Sequence, residues 1–222
     1  MEMKKKLVLF GPPGAGKGTF SSQIQKILPD IVHISTGDIL RENVEKKTEL
    51  GRKAQEYMKK GELVPTELIN NMMSQRLSRD DVKEYGFILD GFPRNIEQSQ
   101  ALSEMTDIDL FLLLEVPRDL IKKRILGRFS CSECGKIYNK YTLQPEEKIG
   151  ENKWICDKCG SEVIFEQRSD DTEETLEKRL DVYEENAKPV IEYYKEKGKL
   201  KRVDARNTLD LSKEEIKSII EV

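Results

Sequence analysis

The N-terminal segment constrains this chain more than any other feature. Leu7 to Phe10 are four apolar residues that predict a short buried strand, and the loop 11–16 that follows contains three glycines. Lys17 comes next, and a helix is expected to begin there. This order is typical of a P-loop, in which backbone N–H groups, the helix dipole and a lysine bind phosphates. The sequence therefore predicts a triphosphate site. The residues predicted to surround the phosphates are Gly14, Ala15, Gly16, Lys17, Gly18 and Thr19.

The P-loop pattern has one departure. Ser or Thr is expected directly after the lysine, but here Gly18 precedes Thr19. The alternative is a glycine-rich turn with a solvated lysine. Because strand, spacing and helix all agree, the P-loop is favoured.

Length, composition and charge limit the function classes. The chain has 222 residues, of which 37% are hydrophobic and 36% charged, as in a soluble globular protein. Its net charge of -3 argues against a dedicated nucleic-acid binder. No apolar run approaches the ~20 residues of a membrane helix, and the run 7–10 is too short for a signal peptide. We expect a cytoplasmic monomer with no membrane or nucleic-acid partner.

Strand-like and helix-like segments alternate along the chain. The predicted strands are 7–10, 31–35, 86–90, 110–116 and 199–203, and helical patterns lie between them. Thr66 is predicted to be the N-cap of the helix that follows it, and Ser212 that of the final helix. The run 110–116 is almost continuously apolar, as expected for a strand buried on both faces of a parallel sheet. This alternation predicts an α/β fold with a central parallel five-stranded sheet. From about residue 130 to 165 the helical periodicity stops, which indicates an inserted small domain.

Two CxxCG motifs lie in this insertion. Cys131 and Cys134 form the first, Cys156 and Cys159 the second, and residues 135–155 separate them. That spacer is slightly longer than the about 15–20 residues usual in a zinc ribbon. The cytosol keeps thiols reduced, and four thiolates suit Zn²⁺ in a closed structural site. The alternatives are unligated thiols or a redox pair, and iron or cobalt would fit the same ligands.

Five ordered motifs resemble one family. They are the loop 11–19, the segment 35–41, the segment 90–94 with Gln98, the pair 127–128, and the stretch from Arg168 to Arg179. Over residues 5–203 they resemble adenylate kinase, in the long form whose inserted lid carries zinc. The resemblance implies a three-layer P-loop fold and reversible transfer of the terminal phosphoryl group from Mg-ATP to AMP, giving two ADP.

The resemblance also implies roles for basic residues. Phosphoryl transfer requires positioning and neutralisation of phosphate oxygens, which arginine binds in bidentate fashion. Lys17 is implied to steer the transferred group, and Arg124 and Arg128 to bind ATP. The residues implied for catalysis are Lys17, Arg94, Arg128, Arg168 and Arg179.

An AMP pocket and a magnesium site are implied in the same way. Arg41 and Arg94 resemble residues that hold the AMP phosphate, and Thr36 and Gln98 resemble those near its adenine. The full set implied for AMP is Thr36, Arg41, Leu63, Val64, Gly91, Arg94, Gln98, Arg168 and Arg179. Asp90 would hold Mg²⁺ through water, with Asp38 assisting.

The family likeness divides the chain into three parts. The expected core consists of residues 1–34, 65–127 and 168–222, the AMP-binding segment is 35–64, and the zinc-binding lid is 128–167. The last two are expected to close over the core and exclude water.

A few single residues carry separate expectations. Phe129 stands where relatives often carry a second arginine, and the longer spacer predicts an extended lid hairpin. His33 is expected to be structural, Trp154 is expected to pack inside the lid, and Asp170 and Asp171 either link lid to core or favour a helix N-terminus.

Two other functions remain open at this point. A kinase with a different acceptor, such as UMP, CMP or GMP, would share most motifs, and GTP could replace ATP as donor. A nucleic-acid-binding NTPase with a zinc ribbon would share the P-loop and the cysteines. It would leave the segments 35–41 and 90–94 unexplained, and the lysines of the insertion are offset by nearby acidic residues.

Overall fold

The computed structural model describes residues 4–168 and 170–221, so residues 1–3, 169 and 222 of the predicted core lie outside it. The strands are β1 (Lys5–Phe10), β2 (Val32–Ser35), β3 (Gly86–Asp90), β4 (Leu110–Glu115), β5 (Arg128–Ser130), β6 (Ile137–Asn139), β7 (Glu147–Gly150), β8 (Lys153–Ile155), β9 (Glu162–Ile164) and β10 (Leu200–Asp204). The helices are α1 (Lys17–Gln25), α2 (Thr36–Glu45), α3 (Glu49–Lys60), α4 (Thr66–Leu77), α5 (Asp80–Tyr85), α6 (Ile96–Met105), α7 (Arg118–Leu126), α8 (Glu173–Glu196) and α9 (Lys213–Ile220), and a 3-10 helix spans Thr208–Asp210.

Five parallel strands form the central sheet, in the order β10-β4-β1-β3-β2. This confirms the predicted α/β fold and its five-stranded parallel sheet. The chain passes from β1 to β2 on one side of the sheet and reaches β4 on the other. A crevice therefore forms at the carboxyl ends of the strands beside β1, which is where ligands bind in such sheets.

Both faces of the sheet are covered by helices. Val8 and Phe10 of β1 belong to one buried cluster, while Leu7 and Leu9 belong to the other. Successive residues of a strand point to opposite faces, so the strands in the middle of the sheet need apolar residues at most positions, whereas the edge strands β2 and β10 carry more polar residues. This requirement produces the continuous apolar runs in the sequence.

The structure contradicts one predicted helix N-cap and confirms another. Thr66 is expected to be the N-cap of α4, but this is wrong: Pro65 holds that position and the Thr66 hydroxyl accepts a hydrogen bond from Asn95 Nδ2 at 3.1 Å. Ser212 is confirmed as the N-cap of α9. Its hydroxyl accepts from the Glu215 N–H at 3.2 Å, and the Glu215 carboxylate accepts from the Ser212 N–H at 2.8 Å.

The inserted segment contains two small antiparallel sheets, β5-β6 and β7-β8-β9. An aromatic cluster fills the space between them and the cysteines, with Phe129 fully buried and Trp154 3% exposed. The expected packing of Trp154 is confirmed. Phe129 contacts three other aromatic rings there, which explains an apolar residue at that position.

Over residues 4–168 and 170–221, none of the helices combines the length and the apolar character needed to cross a membrane.

Candidate active site

The loop after β1 turns tightly at the carboxyl edge of the sheet. Gly11 passes so close to β4 that a Cβ would lie 2.7 Å from the Leu114 carbonyl oxygen, and Gly16 adopts the left-handed conformation at the start of α1 (φ +88°). Side chains at these two positions would be excluded or strained. The loop therefore presents its backbone and the N-terminus of α1 toward one point, as an anion site requires.

Lys17 folds back over this loop. Its Nζ donates hydrogen bonds to the carbonyl oxygens of Gly11 and Pro12, each at 2.9 Å. Burial and the positive charges of nearby arginines, only partly opposed by the negative charge of Asp90, lower the pKa of Lys17 to about 8. The lysine therefore lies in a positive environment that an anionic ligand would neutralise.

Asp90 is the carboxylate closest to this loop. It ends β3, and its Oδ2 lies 3.8 Å from the point that a Cβ on Gly18 would occupy. Burial would raise the pKa of Asp90, but the imidazole of His33 and the charge of Lys17 outweigh it and keep the carboxyl ionised. His33 Nε2 is 3.8 Å from Asp90 Oδ2 and is buried without a hydrogen bond. Asp38 is instead paired with Arg41.

Several predicted arginines converge on the same crevice. Burial, together with the charges of Arg179 and Arg41, lowers the pKa of Arg94 to about 10 despite Asp90. Burial and the charges of Arg128 and Arg41 do the same for Arg168. Desolvation by the surrounding protein is the first cause of both shifts, and the positive charges of neighbouring arginines add to it, so these like charges lie close together. Such a cluster suits a polyanion.

Two aspartates hold part of this cluster in place. Asp171 is fully buried and accepts two hydrogen bonds from Arg128, at 2.8 and 2.5 Å. Asp170 lies 3.3 Å from Arg179. Arg128 begins β5 of the lid, whereas Asp171 lies just before α8, so this bidentate pair joins the lid to the rest of the chain.

Arg124 has a different environment. Its guanidinium donates to the carbonyl oxygens of Ala205 and Arg206 at 2.9 and 2.8 Å, and more weakly to those of Gly14 and Ala15 at 3.4 Å. It thus connects α7, the glycine loop and the segment after β10. The carbonyl partners of Arg124 are long-range contacts that the motifs did not identify. The expected link from Asp170 and Asp171 to the inserted segment is present in the pair between Asp171 and Arg128.

A second pocket lies beside the arginine cluster. Among the residues predicted for AMP, eight line it and Arg168 does not. The lining includes Thr36, Gly37, Leu40, Arg41, Met58, Gly61, Glu62, Leu63, Val64, Ile69, Gly91, Arg94, Gln98, Asp170 and Arg179. Gln98 is 2% exposed and its Oε1 accepts from the Arg94 N–H at 2.7 Å, which orders the segment after β3. Leu40, Met58 and Ile69 were missed as site residues because their helical spacing marks them only as core.

The four cysteines meet at one point in the lid. Their sulfur atoms all lie within 4.8 Å of one another, and two pairs are 3.6 Å apart. Zn–S bonds of about 2.3 Å in a tetrahedron place sulfurs roughly 3.8 Å apart. Tyr138 supports the cluster by donating its hydroxyl to Cys156 Sγ at 3.3 Å. The donor set and its spacing therefore fit a tetrahedral zinc ion.

The fold and the crevice define a class of protein. A P-loop at the carboxyl edge of a parallel sheet, facing a cluster of arginines and a second pocket, is suited to phosphoryl transfer between two nucleotides. The family model described as "Adenylate kinase" matches residues 9–199. The chain therefore belongs to the adenylate kinase family. It is a nucleoside monophosphate kinase that transfers the terminal phosphoryl group of ATP reversibly to AMP, giving two ADP.

Individual relatives match over nearly the whole chain. An adenylate kinase of Thermosipho melanesiensis is 46% identical over 219 residues, which cover 96% of this chain and 98% of the relative. One of Clostridium acetobutylicum is 46% identical over 220 residues, covering 97% and 98%. One of Archaeoglobus fulgidus is also 46% identical over 220 residues, covering 97% of each.

Proposed function

We propose that ATP and AMP bind end to end across this crevice, with their phosphates meeting at Lys17. The observation that carries the proposal is the position of Lys17. It is half-buried against the glycine loop, close to the positive charges of Arg94, Arg128 and Arg179 and to the negative charge of Asp90. A site with this excess of positive charge is most stable when several phosphate groups neutralise it.

The donor side is built on the glycine loop. Backbone N–H groups of residues 14–19 and the N-terminus of α1 bind the ATP phosphates. Arg128 reaches the same phosphates from the lid, and Arg124 does so after exchanging weak carbonyl contacts for phosphate oxygens. Lys17 gives up its two bonds to loop carbonyls in the same way and follows the phosphoryl group.

The acceptor side is the second pocket. Arg41 and Arg94 bind the AMP phosphate, while Thr36 and Gln98 lie near its base. Leu63, Val64 and Gly91 contribute backbone at the edges of the pocket. Arg179 lies between the pocket and the arginine cluster, and Arg168 completes that cluster, so both would contact the phosphates once they meet.

Positioning is the main contribution of these residues to the reaction. The attacking AMP oxygen and the departing ADP oxygen must lie in line with the transferred phosphorus, and the charge on the equatorial oxygens must be neutralised. Arginines held by Asp170 and Asp171 meet both requirements because their planar donors are fixed before substrate binds.

Two metal ions belong to this scheme. Adenylate kinases use Mg²⁺ with ATP, and Asp90 would hold it through water, since this carboxylate is ionised beside the glycine loop; Asp38, paired with Arg41, has the smaller part. Bound Mg²⁺ supplies charge neutralisation to the phosphates. Zn²⁺ would be held by Cys131, Cys134, Cys156 and Cys159 and would stabilise the lid without contacting substrate.

The moving parts follow the three-part division of the chain. The segment 35–64 closes over AMP and the lid 128–167 closes over ATP, on a core of residues 1–34, 65–127 and 168–222. We propose a monomer in the cytoplasm that acts on free nucleotides. In the lid, Lys136 and Lys153 are paired with Asp157 and Glu162, each at 2.8 Å, which does not favour nucleic acid.

Parallel turnover assays test the acceptor. Mg-ATP is supplied with AMP, UMP, CMP, GMP or no acceptor, and ADP formation is followed. We expect rapid turnover with AMP alone and a loss of about 10²-fold or more in Arg94→Ala, because an anchoring phosphate contact is removed. Preference for another monophosphate would contradict the AMP pocket. ATP hydrolysis without an acceptor would contradict the closed two-substrate site.

A further inference from the structure

Asn139 occupies an unusual position at the junction of the lid and α7. It is the last residue of β6, is 7% exposed, and lies directly opposite Arg128 in the β5-β6 pair. Its side chain is thus buried beside the residue that starts the lid. None of the motifs described above includes it.

Every polar group of this side chain is used. Nδ2 donates to the carbonyl oxygens of Lys123 and Arg124, at 3.3 and 2.9 Å. Oδ1 accepts from the backbone N–H groups of Tyr141 and Thr142, at 2.9 and 3.2 Å. The first pair of bonds joins the lid to α7, and the second pair forms the turn inside the lid. The Nδ2 group therefore holds α7, while the Oδ1 atom of the same amide holds the turn of the lid.

The carbonyls that it binds belong to the last turn of α7, where partners within the helix run out. The Lys123 carbonyl also accepts the capping bond from Gly127 N–H, at 3.2 Å. An amide N–H₂ supplies two donors there without adding charge. A backbone bond from Lys140 N–H to the Gly127 carbonyl, at 2.7 Å, runs alongside. Gly127 makes the approach possible, because a Cβ there would lie 2.8 Å from Asn139 Oδ1 and 2.6 Å from the Tyr141 ring.

We propose that Asn139 is a positioning residue for the donor nucleotide. Its hydrogen bonds attach the last turn of α7, which carries Arg124, to β6, the strand that pairs with Arg128. This contact sets the angle at which the lid leaves the core, and it aligns both arginines. The inference rests on the proposed ATP role of these two arginines. It adds a residue that touches neither nucleotide but determines how well they are placed.

Asn139→Asp isolates the lid-to-α7 half of the contact. A carboxylate keeps the acceptor for Tyr141 and Thr142, but it has no donor and faces two carbonyl oxygens. We expect the KM for ATP to rise about tenfold and kcat to fall, because two donor contacts are lost, while the KM for AMP changes less than twofold. Gly127→Ala, which pushes the same surfaces apart, is expected to act in the same direction.

The matched control is Gln144→Ala, which removes another amide whose bond, to the Lys140 carbonyl, stays within the lid. It should leave both KM values unchanged. Zinc content and melting temperature are measured for each variant. A rise in both KM values together with loss of zinc in Asn139→Asp would overturn the proposal, since that pattern indicates a general lid defect.

Arg128→Ala separates the two proposals. If it raises the KM for ATP but Asn139→Asp leaves that constant within twofold of the unmodified chain, the positioning role of Asn139 is overturned and the donor site stands. If Arg128→Ala itself leaves the KM for ATP unchanged, the donor site fails, and the inference about Asn139 fails with it.

Discussion

The sheet core and the lid, residues 128–167, are held together by different forces. In the core, β4 buries side chains on both faces, and Phe111 is stacked on Tyr194 with ring centroids 4.1 Å apart. The lid buries one small cluster around Phe129 and Trp154, and four cysteine sulfurs meet beside it. A unit this small cannot bury enough apolar area to offset its conformational entropy. The core is therefore stable through packing, and we propose that the lid is stable through a bound zinc ion.

Removal of the metal should show the difference in stability between the core and the lid most clearly. Binding of structural zinc contributes roughly 10–16 kcal/mol in small zinc domains, far more than the lid cluster can supply. We expect chelation to expose Trp154 and abolish ADP formation while the helical circular dichroism is retained. Because Trp154 is the single tryptophan of the chain, its fluorescence reports on the lid alone. Cys159→Ser should act like the chelator.

The control for that variant is Ser132→Ala, which changes an exposed residue of the first CxxC motif. Unchanged Trp154 fluorescence and melting temperature after complete removal of the metal would show that the lid holds its shape by packing, as the core does.

A matched pair of Phe→Ala substitutions sharpens the comparison. Phe111 and Phe129 are both fully buried, one in the core and one in the lid. Each loses about 3–5 kcal/mol of packing. Phe111→Ala should lower the melting temperature seen by circular dichroism and by Trp154 fluorescence together. Phe129→Ala should shift the fluorescence transition and leave the helical transition near its original temperature. Coincident transitions in both variants would mean that lid and core unfold as one unit.

The sequence could predict those parts of the molecule whose signals are local. The strands and the glycine loop are recognisable because their signals are local: β1, loop 11–16 and α1 are contiguous. The four cysteines are recognisable because thiols in that spacing have few other uses. The residues assigned to AMP come from the resemblance, and eight of them line one pocket. Their role in binding AMP stays a prediction.

Long-range polar contacts were not predictable in this way. The resemblance gave the link from Asp171 to the lid only as one of two alternatives, and no motif pointed to the contact of Asn139 with the end of α7. Both contacts exist because the chain folds back on itself. Aspartate and asparagine are also common at solvent-exposed turns and helix ends, so neither residue type signals burial. Thr66 was assigned as an N-cap on local pattern, but its hydroxyl binds Asn95 from another helix. In each case the role of the side chain depends on a residue that is distant in sequence, and a single sequence does not show which residue that is.

The crevice between core and lid is expected to differ from both, because it contains buried charge that packing does not relieve. Burial lowers the pKa of Lys17 from 10.5 to about 8, so the folded chain pays for keeping this lysine charged. Below pH 8 the lysine is protonated in both folded and unfolded chains, and the full cost is present. Between pH 8 and 10.5 the folded chain gives up its proton first, and the cost disappears.

Lys17→Met should therefore abolish turnover and yet stabilise the nucleotide-free protein at pH 7, by on the order of 1–3 kcal/mol. The gain in the free energy of unfolding should shrink as the pH rises from 8 to 10.5. Lys26→Met, an exposed lysine just after the same helix, is the control and should change neither quantity. A destabilised Lys17→Met protein at pH 7 would mean that the bonds from Nζ to Gly11 and Pro12 outweigh the burial of its charge. The crevice would then be as fully satisfied as the core, and its positive charge would not by itself favour phosphate.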